Sequence, residues 1–385
     1  MKPIYLDYAA TTPVRAEVRD AMAPYLDQCF GNPSSTHRWG REAAAALADA
    51  RHEIADVLGA RFSEICFTRG GTESDNLAVC GRAAWHMARG ESPSVAVSAV
   101  EHKAVLDAAR QACADGRGCC TVVGVSPDGT VDVDAIDAAL AQAPAVVSVM
   151  WVNNETGMIL PVPEVTDRVK AAGGTMHTDA VQAVGKVPVR VDETPVDLLT
   201  VTGHKIYGPK GTGALFMRRG VEVAPLLHGG GQERTLRPGT EDVAGAVGLA
   251  TALRLAVEER DEQAAHQGAL RTLLETLLHD AIPDLRIHGG DARRAHHVVS
   301  VGVSGVDGRS LLMSLDLEGV AASGGSACQS GSTKGSHVVA ALYGADDAYA
   351  TLRFSFSRHS TEDDVRRAAE VTGRVVTRLR EGAPV

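Results

Sequence analysis

Val196-Asp197-Leu198-Leu199-Thr200-Val201-Thr202-Gly203-His204-Lys205-Ile206-Tyr207-Gly208-Pro209-Lys210-Gly211 runs from an apolar stretch straight into a tight, glycine-flanked turn. The apolar stretch predicts a buried strand, and the turn sets a lysine just beyond its end. Similar short runs recur at Val95-Ala96-Val97-Ser98, Val146-Val147-Ser148-Val149-Met150-Trp151-Val152 and Ala214-Leu215-Phe216-Met217, separated by Ala-rich stretches of helical pattern. Strands alternating with helices predict an α/β fold with a mainly parallel sheet. Several such runs open into polar clusters: Thr68-Arg69-Gly70-Gly71-Thr72-Glu73, Glu101-His102, Asn153-Asn154-Glu155-Thr156-Gly157 and Asp179-Ala180-Val181-Gln182. Loops beyond strand ends are where folds of this class bind ligands.

Beyond this part, residues 244–278 read as one long helix that bridges to a second domain. An α+β pattern follows, with a strand near His296-His297-Val298-Val299-Ser300-Val301, a helix over Arg309 to Leu317 and a strand at Leu352-Arg353-Phe354-Ser355-Phe356. Ser360 with Asp363 predicts the cap of the last helix. At 385 residues the chain exceeds what one core usually holds. Its net charge of −10, from 48 acidic against 38 basic residues, argues against direct nucleic-acid binding. The N-terminus lacks the apolar stretch of a signal peptide and no segment is apolar for long enough to span a bilayer, which predicts a cytoplasmic protein. Seven cysteines without a Cys-x-x-Cys fit neither a disulfide framework nor a zinc ribbon, so reduced thiols and no metal are expected.

Lys205 admits two readings. A lysine held at a strand end can lose hydration and form a Schiff base with an aldehyde cofactor, whereas lysines near Gly-Pro turns are mostly solvated. Gly71 and Thr72 would open a helix whose free N–H groups suit a phosphate, though Gly-Gly-Thr also makes an ordinary turn. Asp179 could pair with a pyridinium nitrogen or cap the next helix, and Gln182 could donate to a cofactor oxygen or face solvent. His102 could lie on a planar ring or be a structural histidine, Asn154 could donate its amide to a cofactor oxygen or a substrate carboxylate or shape a turn, and Arg353 is suited to clamp a carboxylate or to make an interdomain salt bridge. Cys328 sits in Ala321-Ala322-Ser323-Gly324-Gly325-Ser326-Ala327-Cys328-Gln329-Ser330-Gly331-Ser332-Thr333-Lys334-Gly335-Ser336-His337, too small and polar to form a core. That composition predicts a mobile loop with an exposed thiol, either reactive or an incidental surface cysteine.

Taken in order, several segments resemble the cysteine desulfurases of the NifS/IscS type, within the class V aminotransferase-like pyridoxal phosphate enzymes. They are Tyr5-Leu6-Asp7-Tyr8-Ala9-Ala10-Thr11-Thr12-Pro13, Gly31-Asn32-Pro33-Ser34-Ser35-x-His37, Glu101-His102-Lys103, Asn153-Asn154-Glu155-x-Gly157, Gly203-His204-Lys205-x-Tyr207-Gly208-Pro209-Lys210-Gly211, Gly229-Gly230-Gly231-Gln232-Glu233, Arg237-x-Gly239-Thr240 and Ser326-Ala327-Cys328. The resemblance implies the fold type I of pyridoxal phosphate-dependent transferases. A large domain over 15–255 would hold a mainly parallel mixed sheet sandwiched by helices. A smaller α+β domain would combine 1–14 with 256–385 and carry the cysteine loop, about 321–336.

It further implies that Lys205 carries pyridoxal 5'-phosphate as a Schiff base, Asp179 faces the pyridine nitrogen, Gln182 meets the phenolic oxygen and His102 stacks on the ring. The phosphate would fall to Gly71, Thr72, Thr202 and His204, with Thr240 supplied across a homodimer, and Asn154 and Arg353 would hold the substrate carboxylate. L-cysteine would become L-alanine, leaving sulfur as a persulfide on Cys328 for an acceptor protein in iron–sulfur cluster assembly, tRNA thiolation or another sulfur pathway. A selenocysteine lyase or aminotransferase of the same fold would keep Lys205 without needing Cys328, and a sulfur-transfer scaffold would need neither. Thr202, Gly71 and Pro238 stand where the family often has serine, alanine and serine.

Overall fold

In a computed structural model that describes residues 3–324, 335–345 and 348–382, the strands in chain order are β1 (Ile4–Tyr5), β2 (Ile65–Thr68), β3 (Val95–Ser98), β4 (Cys120–Val123), β5 (Val146–Ser148), β6 (Met176–Asp179), β7 (Leu198–Thr202), β8 (Gly213–Met217), β9 (Arg286–Ile287), β10 (Val298–Ser304), β11 (Val320–Ala321) and β12 (Tyr349–Ser355). Seven of them form one sheet in the order β2-β8-β7-β6-β5-β3-β4. β3 pairs in parallel with β4 and β5, β5 with β6, and β6 with β7, while β8 is antiparallel to both β7 and β2. Two antiparallel pairings in succession turn β2 parallel to β7. The C-terminal ends of β2, β3, β5, β6 and β7 therefore share one edge of the sheet, which is the edge where α/β sheets place their ligands.

The strands β3, β5, β7 and β8 are largely apolar runs because both faces are covered. Leu198, Leu199 and Val201 of β7 and Ala96 and Val97 of β3 are almost wholly buried, packed between helices that include Gly71–Ala88, Lys103–Ala112 and Val162–Ala171. A second core gathers Ile4 and Leu6 with Leu270, Leu274, Val299, Val301, Leu352, Phe354, Val365 and Val375 around the antiparallel sheet β12-β10-β9. N-terminal residues thus pack with C-terminal ones. β1 pairs in parallel with β11, and the amide N of Ala9 donates to Ser355 Oγ.

Two sequence expectations are corrected. The stretch 244–278 is two helices, Val243–Glu258 and Arg260–Ala281, broken at Glu259 (φ −92°, ψ 1°), whose carboxylate is paired with Arg15 and Arg358. The last helix, Glu362–Arg380, is capped one residue later than expected: Thr361 and Asp364 form the reciprocal pair, while Ser360 Oγ accepts from the amide of Ser357. Cys328 and most of its loop lie outside the described residues. The described segment before them runs from β11 to Gly324, with Ser323 bridged to Arg353, and Ser336 caps the helix His337–Tyr343 after them.

Candidate active site

The turn after β7 is narrow because Gly203 must be glycine: a Cβ there would come within 2.7 Å of Thr212 Oγ1 and 3.0 Å of Pro209 O. That turn carries Lys205 over the N-terminal segment. Lys205 Nζ donates to Ala9 O (2.6 Å) and Ala10 O (2.7 Å). Backbone contacts fasten the same two segments together, with Thr12 N on His204 O at 2.9 Å and Tyr207 N on Thr12 Oγ1 at 2.8 Å. The lysine is held by its surroundings, and the solvated reading does not describe it.

Asp179, at the end of β6, is buried, and its Oδ1 accepts from the amide of Val181 at 2.9 Å. Burial pushes its carboxyl up from the ordinary range, while His102, the Val181 amide, Lys205 and Lys186 pull it back. His102 follows β3 and caps the helix Lys103–Ala112, its Nδ1 accepting from Ala104 N. Burial lowers its pKa, which favours the neutral ring. Gln182 is buried one turn beyond Asp179, and its Nε2 donates to Ala9 O at 2.9 Å. Gln182 and Lys205 therefore share one carbonyl acceptor.

Beyond β2, Gly70 opens the helix Gly71–Ala88 without any side-chain cap. The N–H groups of Gly71 and Thr72 stand at the positive end of an 18-residue helix. A Cβ on Gly70 would lie 3.9 Å from Thr202 Oγ1, so Thr202 flanks this helix end. Its hydroxyl hydrogen is committed to Thr212 O at 2.8 Å, which leaves Thr202 Oγ1 an acceptor. His204 Nδ1 lies 3.3 Å from Thr11 Oγ1, and burial with the neighbouring Lys205 lowers its pKa to about 4. A Cβ on Gly71 would meet Val181 Cγ2 at 3.1 Å, so glycine relieves crowding there.

Arg353 of β12 is fully buried, and it reaches across to the loop after β5. Nη1 donates to the main-chain oxygen of Asn154 at 2.8 Å and Nη2 to Asp7 Oδ1 at 2.7 Å. Arg353 and Asn154 are thus brought together as expected, with Asp7 as an acidic partner that sequence reasoning missed. Thr240 is exposed on its loop. Behind Asp179 lie two further buried acids that were also missed, Asp75 and Glu101. Burial and the charge of Asp179 raise Asp75 well above the ordinary range, and burial pushes Glu101 up to about 8. Their positions beside Glu73 and His102 gave no periodic signal that distinguished them from surface acids.

Uncapped helix N–H groups, a buried carboxylate seeking a cation, an imidazole beside it and a lysine amine at one sheet edge fit a phosphorylated pyridine aldehyde. Comparisons with known proteins identify the family. The family described as aminotransferase class-V matches residues 4–368. A protein called cysteine desulfurase IscS, from Dictyoglomus turgidum, is 41% identical over 384 residues, covering 100% of this chain and 97% of that one. A solved NifS-like protein superposes with a TM-score of 0.89 at 34% identity, covering 97% of this chain and 99% of the other. SspA, solved in complex with cysteine, superposes at 0.81 with 32% identity over 93% of this chain and 100% of that one.

Proposed function

The chain belongs to the aminotransferase class-V family and is a cysteine desulfurase of that family, and on that premise we propose how its residues divide the work. The family uses pyridoxal phosphate, which supplies an electron sink for a carbanion at the substrate α-carbon. Lys205 Nζ would hold the cofactor, and the Lys205 amine or His102 would take the α-proton. Asp179 keeps the pyridine nitrogen protonated, His102 covers the ring, and Gln182 donates an amide N–H to the phenolic oxygen. The helix end at Gly71 and Thr72, with Thr202 and His204, receives the phosphate. Thr202 contributes as an acceptor, for a phosphate oxygen that carries a proton or through water, because its own hydrogen is taken.

L-cysteine is the substrate, with its carboxylate on Arg353 and Asn154. The Cys328 thiolate attacks the substrate sulfur, the carbon–sulfur bond breaks, and the products are L-alanine and a persulfide on Cys328. That sulfur then passes to an acceptor protein, such as an iron–sulfur scaffold or a thiolation enzyme. A homodimer would bring exposed Thr240 to the phosphate of its partner, and Leu226 and Leu227 are large apolar side chains also left exposed. We place the domain division at 15–255 against 1–14 with 256–385, in keeping with the joint packing of N- and C-terminal residues in the second core. No helix among the described residues is long and apolar enough to cross a membrane, in keeping with a cytoplasmic site of action.

The observation that carries this reading is the carbonyl of Ala9, on which Lys205 and Gln182 converge from different strand ends. Adding pyridoxal phosphate to the purified protein should produce a visible absorbance band that Lys205→Ala lacks. Cys328→Ala should keep the band and lose alanine and sulfide production from cysteine. Normal turnover by Cys328→Ala would instead indicate a lyase or aminotransferase, and a protein that never gains the band would indicate a scaffold.

A further inference from the structure

Two side chains with no part in that scheme converge on Gln182. Lys186 Nζ donates to Gln182 Oε1 at 2.7 Å, and His297 Nε2 lies 3.1 Å from the same oxygen. Lys186 stands four residues on, after a turn at Gly185 (φ +74°), where a Cβ would strike Ala256 Cβ at 2.6 Å. His297 comes from the other core, just before β10. Because Oε1 only accepts, His297 must carry its proton on Nε2. Its buried Nδ1, without a partner among the described residues, is then a bare acceptor, and burial keeps the ring neutral.

These contacts decide which way the amide faces. Flipping Gln182 would put its NH2 against the Lys186 amine and the His297 N–H, and its oxygen against Ala9 O. The contacts of protonated Lys186 and of Ala9 O would then be repulsive, and the His297 contact would survive only if the ring moved its proton to Nδ1. As oriented, Nε2 uses one hydrogen on Ala9 O, the carbonyl that Lys205 also engages. The other hydrogen is left for a second acceptor. We propose that Lys186 and His297 are positioning residues that lock the Gln182 amide with its N–H face toward the cofactor's phenolic oxygen, and so set that oxygen's basicity. This inference rests on the cofactor reading above.

An oxygen that loses an N–H donor, or meets a carbonyl instead, holds a nearby proton more tightly. In the cofactor-loaded protein the visible absorbance titrates with pH, and its midpoint reports that basicity. Lys186 itself titrates in this range, its amine lowered to about 7 by burial and by Lys205, and the other charged and titratable groups around the lock, Lys205, Asp179, His296, Arg271 and Arg353, stay in place in the variants. Lys186→Met and Gln182→Met should each raise the midpoint by about 0.5 to 1 unit. Lys186→Met should add nothing in a Gln182→Met background, whereas a direct effect of the lysine's charge would persist there.

Should Lys186→Met fail to fold, His297→Leu removes the other donor to the same oxygen and should shift the midpoint in the same direction. The lock is overturned if Gln182→Met moves the midpoint while Lys186→Met and His297→Leu do not, or if the Lys186 and Gln182 shifts simply add. A Gln182→Met protein that titrates like the parent shows that Gln182 does not meet the phenolic oxygen. That outcome removes the reading itself and the lock with it.

Discussion

Arg353 and Asp7, 346 residues apart in the chain, form an ion pair of 2.7 Å while the same guanidinium holds the main-chain oxygen of Asn154 at 2.8 Å. One buried cation thus ties the N-terminal segment, the second core and the edge of the large sheet together. If it also receives the substrate carboxylate, the incoming anion shares or replaces Asp7. Lysine in its place keeps the charge and loses the planar fork. Arg353→Lys is expected to raise KM for L-cysteine by about tenfold to a hundredfold and to leave the cofactor absorbance intact. Steady-state alanine production measures this, and an unchanged KM would show that the arginine serves only to join the segments.

The parts of this site that were legible in the sequence are those written locally. β3, β7 and β8 are short apolar runs, and the polar segments after β3 and β7 hold His102 and Lys205. A strand fully buried on both faces has to be apolar, and a turn with a fixed lysine has to be narrow, so both leave a mark on adjacent residues. Asp7 beside Arg353 and His297 beside Gln182 leave none, because the first pair meets only when the N-terminal segment folds into the second core and the other only where the two cores meet. The break at Glu259 was equally hidden. Glu258-Glu259-Arg260-Asp261 contains no glycine or proline, and the ion pairs of Glu259 with Arg15 and Arg358 accompany the turn from outside the helix. The cap at Thr361 shows a smaller failure of the same kind, where two adjacent hydroxyl residues compete and tertiary contacts engage Ser360 elsewhere.

Glu101 makes stability fall with pH over a range where most carboxylates favour folding. Its Oε1 accepts from Ser98 Oγ at 2.7 Å and Met150 N at 2.6 Å, but Oε2 has no partner among the described residues. Burial raises its folded value to about 8, above the ordinary 4.5 of the unfolded chain. The native state therefore binds the extra proton between those values. The contribution of Glu101 is fully present below about pH 4.5 and is lost as pH rises through about 8. Glu101→Gln keeps the accepting oxygen and cannot ionise. Its unfolding free energy should gain on the parent's across that window, by at most about 1.4 kcal/mol per pH unit. Urea denaturation of both proteins at several pH values checks this, and a constant difference would show that Glu101 is not the titrating group.

The loop leading to Thr240 should be the most sensitive part of the molecule far from Lys205. Glu233, Arg234 and Thr235 have φ of 45°, 55° and 68°, three successive left-handed residues that are not glycine. Such a run persists only where its surroundings impose it. Here the constraint is Glu233, which is buried and accepts from both Nη atoms of Arg51 at 2.7 and 2.6 Å and from the amide of Phe67 at 2.9 Å. Arg51 is itself buried, donating to Ile65 O at 2.8 Å with its guanidinium 4.7 Å from the centre of the Phe67 ring. Arg51→Met leaves a buried carboxylate without its countercharge and should cost about 3–5 kcal/mol in unfolding free energy. Replacing Glu233 with methionine as well removes the stranded charge and should recover part of that loss, although the positive φ at position 233 limits the recovery. Denaturant unfolding of the single and double variants gives the comparison. If Thr240 reaches a partner's phosphate, Arg51→Met should also weaken cofactor retention on dialysis, while a single variant within about 1 kcal/mol of the parent would mean that the loop holds its shape without the pair.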